Sequence, residues 1–172
     1  MKQAPRTALL EHELKNRILV MDGAMGTMIQ ELKLSEADFR GERFIDHPSD
    51  LKGNNELLVL SQPVALKDIH LQYLRAGSDI IETNTFTANR VSQGDYGTEA
   101  LSYEINFEAA RLCRQACDEI TAENPERPRF VAGAVCPTTR AASLSPNVND
   151  PGFRSITFDE LVEDYSEGIR AL

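Results

Sequence analysis

Ile18-Leu19-Val20-Met21-Asp22-Gly23-Ala24-Met25-Gly26-Thr27 is an apolar run that ends in an acid and then a glycine-rich turn. The run predicts a fully buried strand over Ile18 to Met21, and the periodicity beyond the turn predicts a helix over Met25 to Leu32. Glycines at such a junction leave backbone N–H groups facing a crevice and let a small ligand approach the main chain. An ordinary strand-to-helix connection reads the same way. The junction gains weight from two more strand ends of the same kind. Asp79-Ile80-Ile81-Glu82 runs into Thr83-Asn84-Thr85, and Phe130 to Val135 runs into Cys136-Pro137-Thr138-Thr139-Arg140.

Helices fill the intervals. Thr7 to Lys15 reads as a short helix, and Leu34 to Leu60 holds another near Glu36 to Phe39. The rest of that stretch is an excursion through Asp46-His47-Pro48 and Gly53-Asn54-Asn55. Ser61-Gln62-Pro63 opens a helix whose apolar face is Ala65, Leu66, Ile69, Tyr73 and Ala76, and Gly77 stops it. Thr98 to Thr121 is a long helix with the stripe Leu101, Ile105, Ala109, Leu112, Ala116 and Ile120. Thr157 and Glu160 form a capping box at the start of a last helix. No glycine or proline stop follows it through Leu172, so the chain reads as cut. Strands alternating with helices predict a parallel sheet with crossovers. A (β/α)8 barrel takes about 250 residues, so the expectation is a partial barrel.

Composition narrows the class. The chain has 172 residues, 41% of them apolar, with no membrane-length apolar run. Met1 to Asn16 lacks a signal-peptide core, which predicts a cytoplasmic protein. Eighteen basic and 27 acidic residues give a charge of −9 without a Lys/Arg cluster, which argues against nucleic acid.

The three strand ends would converge on one mouth if the strands were parallel neighbours. They offer acids for an amine, hydroxyls and an amide for orientation, and main-chain donors for a carboxylate, a set that suits an amino-acid-sized ligand. Each end taken singly is also what a capped connection needs. Cys113, Cys117 and Cys136 are too few and too scattered for a disulfide framework. Cys113 and Cys117 read as small buried or half-buried residues of the long helix, apart from Cys136 at a strand end, so the chain alone offers no zinc site. His70 reads as a surface or boundary residue.

The stretches MDGAMGTMIQ, FRGERFIDHPSDLKGNNELLVLSQP, AGSDIIETNTFTANR, LSYEINFEAARLCRQACDE and RFVAGAVCPTTRAASLSPNVNDPGFRSITFDELVEDY resemble the homocysteine S-methyltransferase family. The DGAMGT and ETNTF segments are shared across that family. The Asp46–Asn55 excursion and NVNDPGFRSITFDEL resemble its cobalamin-dependent methionine synthase branch, specifically the N-terminal homocysteine-binding module.

The resemblance implies a (β/α)8 TIM barrel, present here only in its first strands and helices. It implies a zinc-bound homocysteine thiolate that takes a methyl group from methylcobalamin, with 5-methyltetrahydrofolate recharging the cobalamin on modules of the same polypeptide. The family's zinc cysteines match none of the three here and are expected beyond Leu172, so this segment alone is expected to be inactive. Asp22, Gly23, Ala24, Met25, Gly26 and Thr27 would then line the amino-acid end of homocysteine, with Glu82, Thr83, Asn84, Thr85 and Thr138 around the mouth. Cys136 and Thr139 depart from the family's usual Gly-Pro-Thr-Asn. Two alternatives stand beside this reading. One is a cobalamin-independent homocysteine S-methyltransferase using betaine or S-methylmethionine, and the other is a non-catalytic amino-acid-binding fragment.

Overall fold

The computed structural model describes residues 4–172. Met1–Gln3, the start of the stretch read for a leader, lie outside the described residues. The helices are α1 (Ala4–Asn16), α2 (Met25–Glu31), α3 (Glu36–Arg40), α4 (Leu58–Ser61), α5 (Pro63–Ala76), α6 (Arg90–Gln93), α7 (Ser102–Glu123) and α8 (Phe158–Ala171). Two short strands, β1 (Ile80–Glu82) and β2 (Phe130–Ala132), pair in parallel with Ile80 opposite Phe130 and Glu82 opposite Ala132.

This is a mostly helical fold with a small open sheet, not the (β/α)8 TIM barrel, whole or partial, that the sequence predicts. The decisive difference lies at Ile18–Met21. Only Met21 bridges to Ile80, and Ile18 and Val20 are 88% and 52% exposed. The apolar run that suggested a doubly covered strand has one side open, so it serves as a tether rather than a core strand. The Val20 carbonyl accepts the main-chain N–H groups of Asp79 at 2.7 Å and Ile80 at 3.1 Å.

The helices follow their local chemistry. Pro63 opens α5, and Gly77 ends it at φ 117°, a left-handed conformation that glycine adopts without penalty. Ser35 and Asp38 form a capping box on α3, and Thr157 and Glu160 form the predicted one on α8. The long helix starts at Ser102, after a 3₁₀ turn over Glu99–Leu101. Its predicted stripe is buried from Ile105 to Ile120, together with Cys113 and Cys117. α7 packs on α5 and carries α8. No described helix is long and apolar enough to cross a membrane.

Two polar clusters hold the frame. The Asp79 carboxylate is fully buried, accepts the Val20 N–H at 3.0 Å, and pairs with Arg17 at 2.8 Å and Arg127 at 2.9 Å. This ties the tether and the loop before β2 to the start of β1. On the other side, Asn54 and Gln93 exchange amide hydrogen bonds of 2.8 and 3.1 Å in a fully buried setting. That pair anchors the excursion onto α6 and so places Asn55 and Glu56.

Candidate functional site

Beyond Asp79 the chain passes along β1 to Glu82, and there the first two predicted strand ends meet. The Asp22 N–H donates to the Ile80 carbonyl at 2.9 Å, and Asp22 Oδ1 accepts the Glu82 N–H at 2.9 Å. A cleft of about 390 Å³ opens above this junction. Asp22, Gly23, Ala24, Met25 and Gly26 line it together with Glu82, Thr83, Asn84 and Phe86. Asn55 and Glu56 come from the excursion, and Ala134 and Cys136 from the segment after β2.

The turn works differently from its sequence reading. Ala24, not a glycine, takes the left-handed conformation, at φ 49°. A Cβ added to Gly23 or Gly26 would meet nothing within 4 Å, so neither glycine is required by packing. What the glycines provide is bare main chain on the wall of the cleft.

Three carboxyl groups line the space. Burial pushes Asp22 up to about 6; the Glu82 N–H opposes that shift, and the Glu82 carboxylate adds to it. Glu82 is exposed at the end of β1. Glu56 is buried and accepts one hydrogen bond, from the Thr87 N–H at 3.2 Å. Among the described residues, no lysine, arginine or histidine lines the cleft. The wall thus selects for cations, and a buried carboxylate with spare acceptor sites favours an N–H donor.

Several predicted residues have other duties. The Thr83 and Thr85 hydroxyls are 2.7 Å apart; Thr85 donates to the Ala134 carbonyl at 2.8 Å, and Thr83 accepts the Ala134 N–H at 2.9 Å. They stitch β1 to the segment that follows β2. Asn84 donates its amide to the Asn55 carbonyl at 2.7 Å and so braces the excursion against the site. Thr27 is exposed on α2, and neither it nor Thr85 lines the cleft. Thr138 is absent from the cleft too; its hydroxyl bonds the Arg140 carbonyl at 2.5 Å. Glu56 and Asn55 are the residues the sequence reading missed. The one signal was an acid at the head of the apolar Leu57–Leu60 run.

His70 is also corrected: it is 1% exposed, and its Nε2 lies 3.2 Å from Cys113 Sγ behind β1. Burial lowers His70 to about 4 and raises the Cys113 thiol well above its ordinary value. Both groups are therefore neutral near pH 7, a packing pair rather than a thiolate–imidazolium nucleophile. Cys117 is buried against the Phe130 carbonyl, with its thiol raised to about 12. With two cysteines sealed in this way and Cys136 alone on the cleft, the described residues do not fit a zinc ion. No group of three His, Cys, Asp or Glu side chains with metal-binding geometry occurs among them.

The cleft is a solvent-accessible space walled by three carboxyl groups and bare glycine main chain. The homocysteine S-methyltransferase family profile matches residues 19–172, and the chain belongs to that family. Among solved structures, it is similar to the homocysteine methyltransferase MmuM from Escherichia coli. In the metallated form the identity is 23% and the TM-score 0.66, covering 92% of this chain and 51% of that one. In the oxidized form the values are 23% and 0.68, covering 95% and 52%. The chain thus spans about half the length of the solved structures it matches. These matches correct the expectation of a cobalamin-dependent methionine synthase. The methylcobalamin donor and the cobalamin and 5-methyltetrahydrofolate modules give way to the homocysteine S-methyltransferase assignment.

Proposed function

We propose that this chain carries the amino-acid-binding part of a cobalamin-independent homocysteine S-methyltransferase, an enzyme that methylates homocysteine to methionine. Family membership supplies the reaction class. The observation that carries the substrate side is the cation-selective cleft walled by Asp22, Glu56 and Glu82 and floored by glycine main chain. In this reading the homocysteine ammonium faces the three acids, and its backbone end rests over Gly23–Gly26. Asp22, ionised when the ammonium arrives, orients the amino acid, while Glu56 fixes it from the excursion. Phe86 and Met25 give the thiol side an apolar border. Zinc, if the complete catalytic unit uses it, must be held by residues other than the cysteines described here.

Calorimetric titration with L-homocysteine tests the binding role. Saturable binding that weakens at least tenfold when the amino group is removed supports it, and equal affinity for the des-amino thiol would sink it. Assays with S-methylmethionine and with betaine as donors then test the reaction, read as methionine formed.

A further inference from the structure

We infer that a second cavity, beside the amino-acid cleft, binds an organic anion with an apolar body, a carboxylate or a phosphate ester. The cavity has a volume of about 530 Å³ and is lined by Ile29, Leu34, Phe39, Lys33, Lys52 and Asn55, with Gln30 and Gly53 at its margins. Ile29 and Phe39 are buried, so the floor is apolar core. Among the described residues, its charged lining consists of two lysines and no acid. Among the described residues neither lysine is in an ion pair. Glu36 accepts the Lys52 main-chain N–H at 2.6 Å, but its carboxylate is already paired with Arg40 at 2.7 Å. Both lysines are solvent-exposed, so on a chain of net charge −9 they put two unpaired side chains at the rim of one apolar-floored cavity.

The backbone supports the assignment. Lys33 follows the last turn of α2 at φ 51°, its N–H donating to the Gln30 carbonyl at 3.1 Å. Glycine is the favoured residue at that position, and a lysine there holds a strained conformation. Gly53, next to Lys52, is also left-handed, at φ 103°. Two tight turns therefore present one lysine each to the same cavity. Lysine is a compact point charge that suits a carboxylate or phosphate without demanding bidentate geometry. Asn55 is a wall of both spaces, so the anion would lie next to the acid-walled cleft, with opposite charge preference on either side of one residue.

The test is titration of the whole chain with phenyl phosphate, phenylacetate and the neutral phenylacetamide, followed by calorimetry or NMR. At least one anion should bind, and at least tenfold more tightly than the amide; which of the two binds better identifies the headgroup. Lys52→Ala and Lys33→Gly should each weaken that binding about fivefold and leave homocysteine binding unchanged. Lys33→Gly should also melt about 2–4 °C higher, because the strained position is relieved. Amide binding equal to the anions, no binding of either anion, or affinity unchanged in both variants would overturn the proposal. A lower melting temperature for Lys33→Gly would show that the lysine serves the carbonyl end of α2 instead, which also overturns it. None of these outcomes depends on whether homocysteine occupies the neighbouring cleft.

Discussion

Asp22 Oδ1 accepts the main-chain N–H of Glu82 at 2.9 Å, across a sequence separation of 60 residues. The bond fixes an acid at the end of β1 while leaving its second oxygen for the cleft. It also joins the glycine-rich turn to the end of β1, so the turn and the strand end act as one wall.

The half-buried Asp22 gives the site a pH signature. Between the ordinary aspartate value and about 6, the native chain holds a proton on Asp22 that the unfolded chain has lost. Stability from this group is therefore greatest on the acid side, declines as pH rises toward about 6, and is flat above. Asp22→Asn should abolish that slope in denaturant titrations run at a series of pH values. An ammonium ligand favours the ionised acid, so homocysteine affinity should increase from about pH 5 to about pH 7 in the parent and lose that increase in the variant.

Glu56 should matter for binding more than for folding. Its carboxylate keeps one hydrogen bond, to the Thr87 N–H, and Glu56→Gln preserves an oxygen for it. Loss of a charge-assisted contact to an ammonium is worth about 1.5–3 kcal/mol, so homocysteine affinity should drop roughly 10- to 100-fold with little change in melting temperature. An unchanged dissociation constant would remove Glu56 from the site.

Gly26→Ala separates packing from access. The added methyl meets nothing in the protein, and alanine is the better helix former by about 1 kcal/mol in a helix interior. The variant should be as stable as the parent or slightly more so. It should nonetheless bind homocysteine more weakly, because the methyl occupies the wall of the cleft. Chemical denaturation and calorimetry on the same sample check both halves.

Much of this was legible locally. Pro63 and Gly77 bracket α5, the Thr157–Glu160 box opens α8, and the Ile105–Ile120 stripe faces the core, because caps and periodicity act within a few residues. Asp22, Glu82 and Asn84 do lie on one cleft, although the run before Asp22 contributes a single bridge and not the strand its pattern suggested. What failed depends on distant partners. Four apolar residues at Ile18–Met21 look alike whether one side or both sides are covered, and the exposure of Val20 comes from what packs there. His70 reads as a boundary residue until Cys113, 43 positions away, lies against it. Glu56 enters the cleft only because Asn54 and Gln93 pin the excursion, and no local pattern announces that pairing.

That pin should be a large term in stability. Asn54 and Gln93 are fully buried and satisfy each other, so Asn54→Ala leaves the Gln93 amide with an unmet donor and a cavity beside it. The cost expected for such a loss is about 2–4 kcal/mol. Because the excursion carries Asn55 and Glu56, homocysteine binding should weaken in step, unlike the response of Glu56→Gln.

Asp79 governs the other end of β1. Burial alone would raise its carboxyl, but Arg127, the Val20 N–H and Arg17 together hold it below its ordinary value. Its stabilising contribution is thus complete above the unfolded aspartate value and is lost as pH falls through the lower native one. Asp79→Ala strands Arg127, together with Arg129 at 3.8 Å, whose side chain is 6% exposed, while Arg17 keeps its second partner, Glu13, at 2.6 Å. Removing the buried anion from such a cluster costs less than the about 3–5 kcal/mol of a fully buried pair, since Arg127 is 40% exposed and Arg17 retains Glu13, and the uncompensated buried charge is mainly that of Arg129. Asp79→Ala combined with Arg129→Met should recover part of that loss, because the most deeply buried of the three cations is then gone. Equal stability of the single and double variants in urea would show that Arg129 carries none of the cost of losing Asp79.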